Sequence, residues 1–471
     1  MIRGTNRTPG IARKGGACLL GILFLFSVGC GGGRIAQEKG TITLWETYNN
    51  EEHDVFMEIV KSFEEWYAKE RGEEVHVRVK RIPFDQHIQK IKFSAITRTA
   101  PDIVRVDAGE LIDLVYGQIV YDLKEIDPKI EEYLSTFMPV ARESVRIPLR
   151  HPDGKVRTGV YGIPDQLTGV AIYYNRTMFK EAGIPFPPRT LRELRDADPP
   201  WDFKRFREVA KALTKPERNQ YGVALNSSLW FSLPFFNAFG ADFIKIDPDG
   251  KFRCVLDSDS GINALTALAS LYWDGSEPGA WLAGAINPDR GFINNKYAMI
   301  VSGPWNLKTF RKSGVDFGVT FIPEGPNRRE IPVPGGGTIR VGTSTNVGGT
   351  DMAILKTTRQ PRLCYEFLKY LTRPEVHAKW CNALGQIPVQ TLAEPLVDFS
   401  GNPDLKVFVE QMRTAVPRPK IPRYGVLEVS IMVPQIERAF RARNRAGVRL
   451  ALGKAVEEID RRILRDVNVP R

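Results

Sequence analysis

Apolar residues recur at helical spacing between Glu51 and Glu70, where Val55, Phe56, Ile59, Val60, Phe63 and Tyr67 make one stripe, so the pattern predicts an amphipathic helix. TITLW before it, the alternation of Val75, Val77 and Val79 after it, and PDIVRVD further on all read as strands. A second helix is predicted from Asp85 to Thr97 through Ile88, Ile91 and Ala95. Strands alternating with helices argue for a mainly parallel α/β sheet with helices on both faces. Ligands in such sheets sit beyond the carboxyl ends of the strands. Glu46 and Asp107 stand at two such ends. A helix cap or a surface acid fits the same positions.

The same reading continues through the second half. Val170 to Tyr174 is an apolar, β-branched and aromatic run that suits a strand covered on both faces; Asn175 ends it, and a short helix from Thr177 stops at Gly183. Asp202 to Lys215 is an amphipathic helix through Phe203, Phe206, Val209, Ala210 and Leu213. SSLWFSLPFFNAFG reads as a core helix. DPDGKFRCVLDSDSG lacks both the alternating acid spacing and the closing glutamate of a calcium loop, so it reads as a turn between two short strands followed by a capped helix, Gly261 to Trp273.

The N-terminus changes the picture of charge and location. Arg3, Arg7, Arg13 and Lys14 precede an apolar run from Ala17 to Val28, the layout of a secretory signal, and that run falls well short of the ~20 residues of a membrane-spanning helix. Ser27-Val28-Gly29-Cys30 resembles a lipoprotein signal with Cys30 as the lipidated residue, although Ser27 stands where an aliphatic residue is usual. Residues 1–29 are then the signal and 30–40 a glycine-rich tether. Setting aside the four leader cations lowers the formal charge from +11 to +7, and both signs are interspersed along the rest. That is a solvated surface, not a nucleic-acid footprint. Cys254, Cys364 and Cys381 form no CxxC, which argues against a disulfide scaffold or a zinc site. They read as buried thiols, with a Cys364–Cys381 pair as the alternative. No GxSxG, HExxH or phosphate-loop motif occurs, so no catalytic residue, metal or cofactor is expected.

Three separated stretches carry a more specific likeness. YGIPDQLTGVAIYYNRTMFKEAGIPFPPRT, GFINNKYAMIVSGPWNLKTF and EFLKYLTRPE, together with PDIV before a G-x-L-x-D-L-like run, resemble the bacterial extracellular solute-binding proteins, the family that includes maltodextrin-binding proteins and other carbohydrate receptors of ABC importers. The resemblance implies a periplasmic-binding-protein-like fold: two α/β lobes joined by three hinge crossovers with a ligand cleft between them. Lobe one would comprise 41–164 plus 299–342 and lobe two 165–298 plus 343–471, with Asp165 to Thr168 as a hinge strand. It brings Glu46 and Asp107 to the cleft, where carboxylates accept hydrogen bonds from sugar hydroxyls. It also nominates Trp230 and Trp305, whose indole faces suit the C–H patches of a sugar ring. Arg423 and Tyr424 follow from their place after a P-x-x-P-like segment. Gly336, in the GGG run, would offer its backbone to ligand or simply form a turn. The implied function is substrate capture for an ABC permease in the cytoplasmic membrane, by an exported protein lipid-anchored in the periplasm or at the outer cell surface. A non-sugar solute such as a glycerol phosphate, held by Arg340 or Arg423, is the alternative. A secreted carbohydrate-active enzyme is the more distant one, because hydrolysis needs two converging carboxylates.

Overall fold

The computed structural model describes residues 39–333 and 336–468. The signal, Cys18, Cys30, the tether before Lys39 and Gly335 therefore lie outside the described residues. The fold rests on two sheets whose strands are β1 (Thr41–Glu46), β2 (His76–Arg81), β3 (Ile103–Asp107), β4 (Ile163–Thr168), β5 (Ala171–Asn175), β6 (Met299–Ser302), β7 (Phe317–Thr320) and β8 (Gly348–Ile354). The first sheet runs β2-β1-β3-β8-β4. Its first three strands are parallel, as the alternation requires, and β8 enters antiparallel to both neighbours.

The long helix α1 (Asn50–Arg71) covers this sheet with Phe56, Ile59, Val60 and Phe63, all of them on the stripe that the periodicity picks out. Its start is fixed by a reciprocal cap: the Asn49 side chain accepts from the Glu52 backbone N–H at 2.9 Å, and the Glu52 carboxylate accepts from the Asn49 N–H at 3.0 Å. Gly72 ends it in the left-handed conformation.

The second sheet is β6-β5-β7, antiparallel throughout. Every residue of β5 is buried, in line with its unbroken apolar composition. The expected assignment of 299–342 beside the first sheet is corrected here, because β6 and β7 pair on either side of β5. Residues after 342 are divided too. Strand β8 lies inside the first sheet, and the helix Pro361–Leu371 packs on α1, with Phe63 and Phe367 rings 4.9 Å apart. Helix Pro403–Met412 returns to the second sheet, where Phe408 meets Tyr173 at 5.8 Å, and the C-terminal helices close on Asp259–Trp273 through a Trp273 indole N–H to Phe440 carbonyl bond of 2.8 Å. The chain thus passes between sheets three times: after Thr168, after Asn346, and between Leu384 and Pro403. Strand β4 precedes the first of these passages and belongs to the first sheet.

Smaller expectations also meet the structure. The DPDG stretch joins two short strands, Ile244–Ile246 and Phe252–Cys254, and Ser258 caps the helix after them. Cys254, Cys364 and Cys381 are free and buried. Among the described residues no helix is long and apolar enough to cross a membrane, and no group of acids, histidines and cysteines could hold a metal ion.

Candidate ligand cleft

The carboxyl end of β3 places Asp107 in register with Thr350 of β8, and Thr350 in turn lies opposite Gln166 of β4. One rung of the first sheet therefore carries a carboxylate, a hydroxyl and a carboxamide. The hydroxyls of Thr350 and of Thr168 are buried without a hydrogen-bond partner, unlike most buried polar groups. Both can donate to and accept from a hydroxylated ligand.

Arg418 crosses to this rung from the segment after the helix Pro403–Met412. Its guanidinium donates to Asp107 Oδ1 at 2.6 Å, and only 11% of its side chain is exposed. Burial works most strongly against the charged guanidinium, but Asp107, Tyr424 and Glu428 together outweigh it and raise the Arg418 pKa. Two rings flank it, Trp230 at 5.3 Å and Tyr424 at 5.2 Å from the guanidinium carbon. Gly109 permits the approach, since a Cβ there would stand 2.6 Å from that carbon. The Tyr424 hydroxyl is buried without a partner, and burial pushes its pKa far above the ordinary range.

Trp230 is positioned by the start of its helix. Ser228 caps Leu229–Ala238, and the Trp230 N–H donates to both Ser228 Oγ and Glu428 Oε1 at 3.1 Å, while its carbonyl accepts from the Asn346 side chain at 2.6 Å. The indole then lies against the strand at Gly348, where a Cβ would meet the ring at 2.4 Å and the Thr168 methyl at 2.8 Å.

Of the residues that the sequence puts forward, Asp107, Trp230 and Tyr424 thus converge, around an arginine that it does not. Glu46 is fully buried and folds back on its own lobe: its carboxylate accepts from the Tyr48 N–H and meets His53 Nδ1 at 2.8 Å, with Arg81 at 3.7 Å. It is therefore a structural carboxylate. Arg423, at φ 60°, donates to the Asp466 carboxylate and to the Arg462 carbonyl. Arg340, the other arginine expected for a phosphate, is exposed on the strand Thr338–Val341 of the hairpin Arg329–Pro332/Thr338–Val341, in register with Glu330. Gly336 is in the turn of that hairpin at φ 93°, its N–H donating to Val333. Trp305 caps β6 from a short turn, 48% exposed, its ring over Gly303; one turn on, Lys308 pairs with Glu51 of α1 at 3.0 Å. That pair and Arg418–Asp107 both bridge elements of the two sheets.

The family model for bacterial extracellular solute-binding protein matches residues 58–407. A maltotriose-binding protein of Pyrococcus abyssi (strain GE5 / Orsay) is 25% identical over 344 residues, covering 72% of this chain and 66% of that protein, just under two thirds of its length. A galactooligosaccharide-binding protein of Bacillus subtilis (strain 168) is 22% identical over 400 residues, 82% of each. Among solved structures, a cyclo/maltodextrin-binding protein complexed with maltotetraose superposes with a TM-score of 0.69 at 20% identity, over 90% of this chain and 97% of that one. The sugar-binding protein MalE from Xanthomonas citri gives 0.70 at 19% identity, over 91% and 97%. These superpositions establish the periplasmic-binding-protein-like fold.

Proposed function

Because this chain belongs to the bacterial extracellular solute-binding protein family, we propose that it captures a neutral sugar or oligosaccharide between its two lobes and delivers it to an ABC permease. The observation that carries the reading is the Trp230 indole set against Gly348 at the start of β8, where β4 ends in Thr168, with the hydroxyls of Thr168 and, two residues further along β8, Thr350 unpartnered. An apolar ring face beside buried groups that lack hydrogen-bond partners is the complement of a sugar ring. Arg418 and Asp107 supply further donors and acceptors but neutralise one another, which favours an uncharged solute over a phosphate.

A ligand touching both lobes favours the closed state by its differential affinity, and the closed form is what a permease would recognise. The energy for transport would come from that partner; this chain binds and carries without catalysis. Lipidation at Cys30 would hold the exported body at a membrane surface.

The test is thermal unfolding of the full chain against neutral mono- and oligosaccharides, sugar acids, glycerol phosphates and amino acids. A cleft ligand at a hundred times its dissociation constant adds about 2.7 kcal/mol, a rise of a few degrees in Tm. At least one neutral sugar is expected to do this. If phosphates or amino acids stabilise the protein and no neutral sugar does, the reading fails.

A further inference from the structure

Away from the cleft, a groove of about 570 Å³ opens between α1 and the helix Pro361–Leu371 and shares no residue with the Arg418 group. Its apolar wall is Trp66 and Tyr370, ring centroids 5.2 Å apart and 33° from parallel. Two cations lie against rings rather than acids: Arg373 at 4.0 Å from the Trp66 centroid, and Lys369 at 4.9 Å from that of Tyr133. Of the groove's acids, Asp127 accepts from the Tyr365 hydroxyl at 2.7 Å, and Glu366 lies 3.6 Å from Arg71, which also lines the groove and offsets its charge, with the Glu366 Oε2 not hydrogen-bonded. Asp127 is near enough to feel Lys369, yet among the described residues no carboxylate pairs with Lys369 or Arg373. Gln390, 2% exposed, lines the same groove with its amide oxygen unpartnered.

We propose that this groove is a second ligand site, for an acidic sugar of the uronate class. Each feature asks for one part of such a molecule. The two cations suit a carboxylate. The buried Gln390 oxygen lacks a donor, which a sugar hydroxyl provides. The aromatic wall suits the C–H face of a pyranose ring. A neutral sugar lacks the first of these and inorganic phosphate the last, and the volume lies in the ordinary range for small-molecule sites.

The experiment titrates glucuronate and galacturonate into the full chain by calorimetry, with glucose and inorganic phosphate as comparisons. One uronate is expected to bind about tenfold or more tightly than glucose at this site. The double variant Lys369→Gln/Arg373→Gln should weaken it by about tenfold or more with an unchanged Tm, while Trp230→Ala leaves it intact. Lys369→Glu alone, at a half-buried position with no ion pair, provides a second variant should the double one fold poorly. The proposal is overturned if neither uronate binds, if binding survives these substitutions, if Trp230→Ala removes it, or if phosphate binds as well as the uronate.

Discussion

Replacing Asp165 with alanine is expected to destabilise the fold by about 3–5 kcal/mol, because it strands a buried cation. Arg105 is 3% exposed, and its Nε donates to Asp165 Oδ2 at 2.9 Å. The same carboxylate oxygen accepts from the Tyr48 hydroxyl at 2.7 Å, and the guanidinium lies 4.0 Å from the Tyr48 ring. The remaining contacts of Arg105, to Thr47 at 2.7 Å and to Gln166, are neutral and cannot replace the lost charge. Asp165→Asn keeps a hydrogen-bonding oxygen and should cost less. Urea unfolding of the two variants measures both; a loss below about 1 kcal/mol for the alanine would mean that the pair contributes no more than a surface ion pair.

The second large effect is a dependence on pH. Burial pushes the Asp351 carboxyl up to about 8; the hydrogen bond from Ser144 opposes this, the charges of Asp165 and Asp107 add to it, and Arg418 reduces it. One of its oxygens is buried without a partner, consistent with a proton held there. In the unfolded chain an aspartate titrates near ~3.9. The folded state therefore binds more protons between about pH 4 and about pH 8, and stability falls as pH rises through that window, by an amount on the order of a few kcal/mol. Asp351→Asn has no such proton to lose, so its stability should fall less steeply across this window than that of the native protein, the remaining slope coming from other buried carboxyls such as Glu277, which burial pushes up to about 7. Tm profiles that run parallel for the two proteins across this window would show that Asp351 is already ionised when folded.

Local structure was legible in the residues wherever a short-range rule decided it. The stripe of α1, the β5 run with Asn175 at its end, the DPDG turn and the Ser258 cap all depend on neighbours a few positions away. Sheet membership was not, since β6 pairs with β5 across more than a hundred residues and the GPW turn after it looks alike whether or not the chain changes lobe. The cleft shows the same division. Trp230 was put forward by the family resemblance of its segment, and the Ser228 cap at the start of its helix then fixes where the ring lies. Arg418 was hidden among the three basic residues of PRPKIPRYG, and nothing local in that run distinguishes it from Arg423, which pairs with Asp466 instead. Glu46 looked like Asp107 at the end of a parallel strand, but its carboxylate is claimed by the Tyr48 N–H and His53, two and seven residues on.

A sugar bound against Trp230 would lie on the side of the cleft where Arg418 meets Asp107. The most direct test of this placement is calorimetric titration of the neutral sugar that raises Tm into the native protein, Trp230→Ala and Arg423→Ala. Loss of the ring should weaken binding by roughly tenfold to a hundredfold, in keeping with a buried aromatic contact, whereas Arg423→Ala should bind as the native protein does because that side chain is tied to Asp466. Unchanged affinity in Trp230→Ala, or a loss confined to Arg423→Ala, would contradict this placement of the ligand.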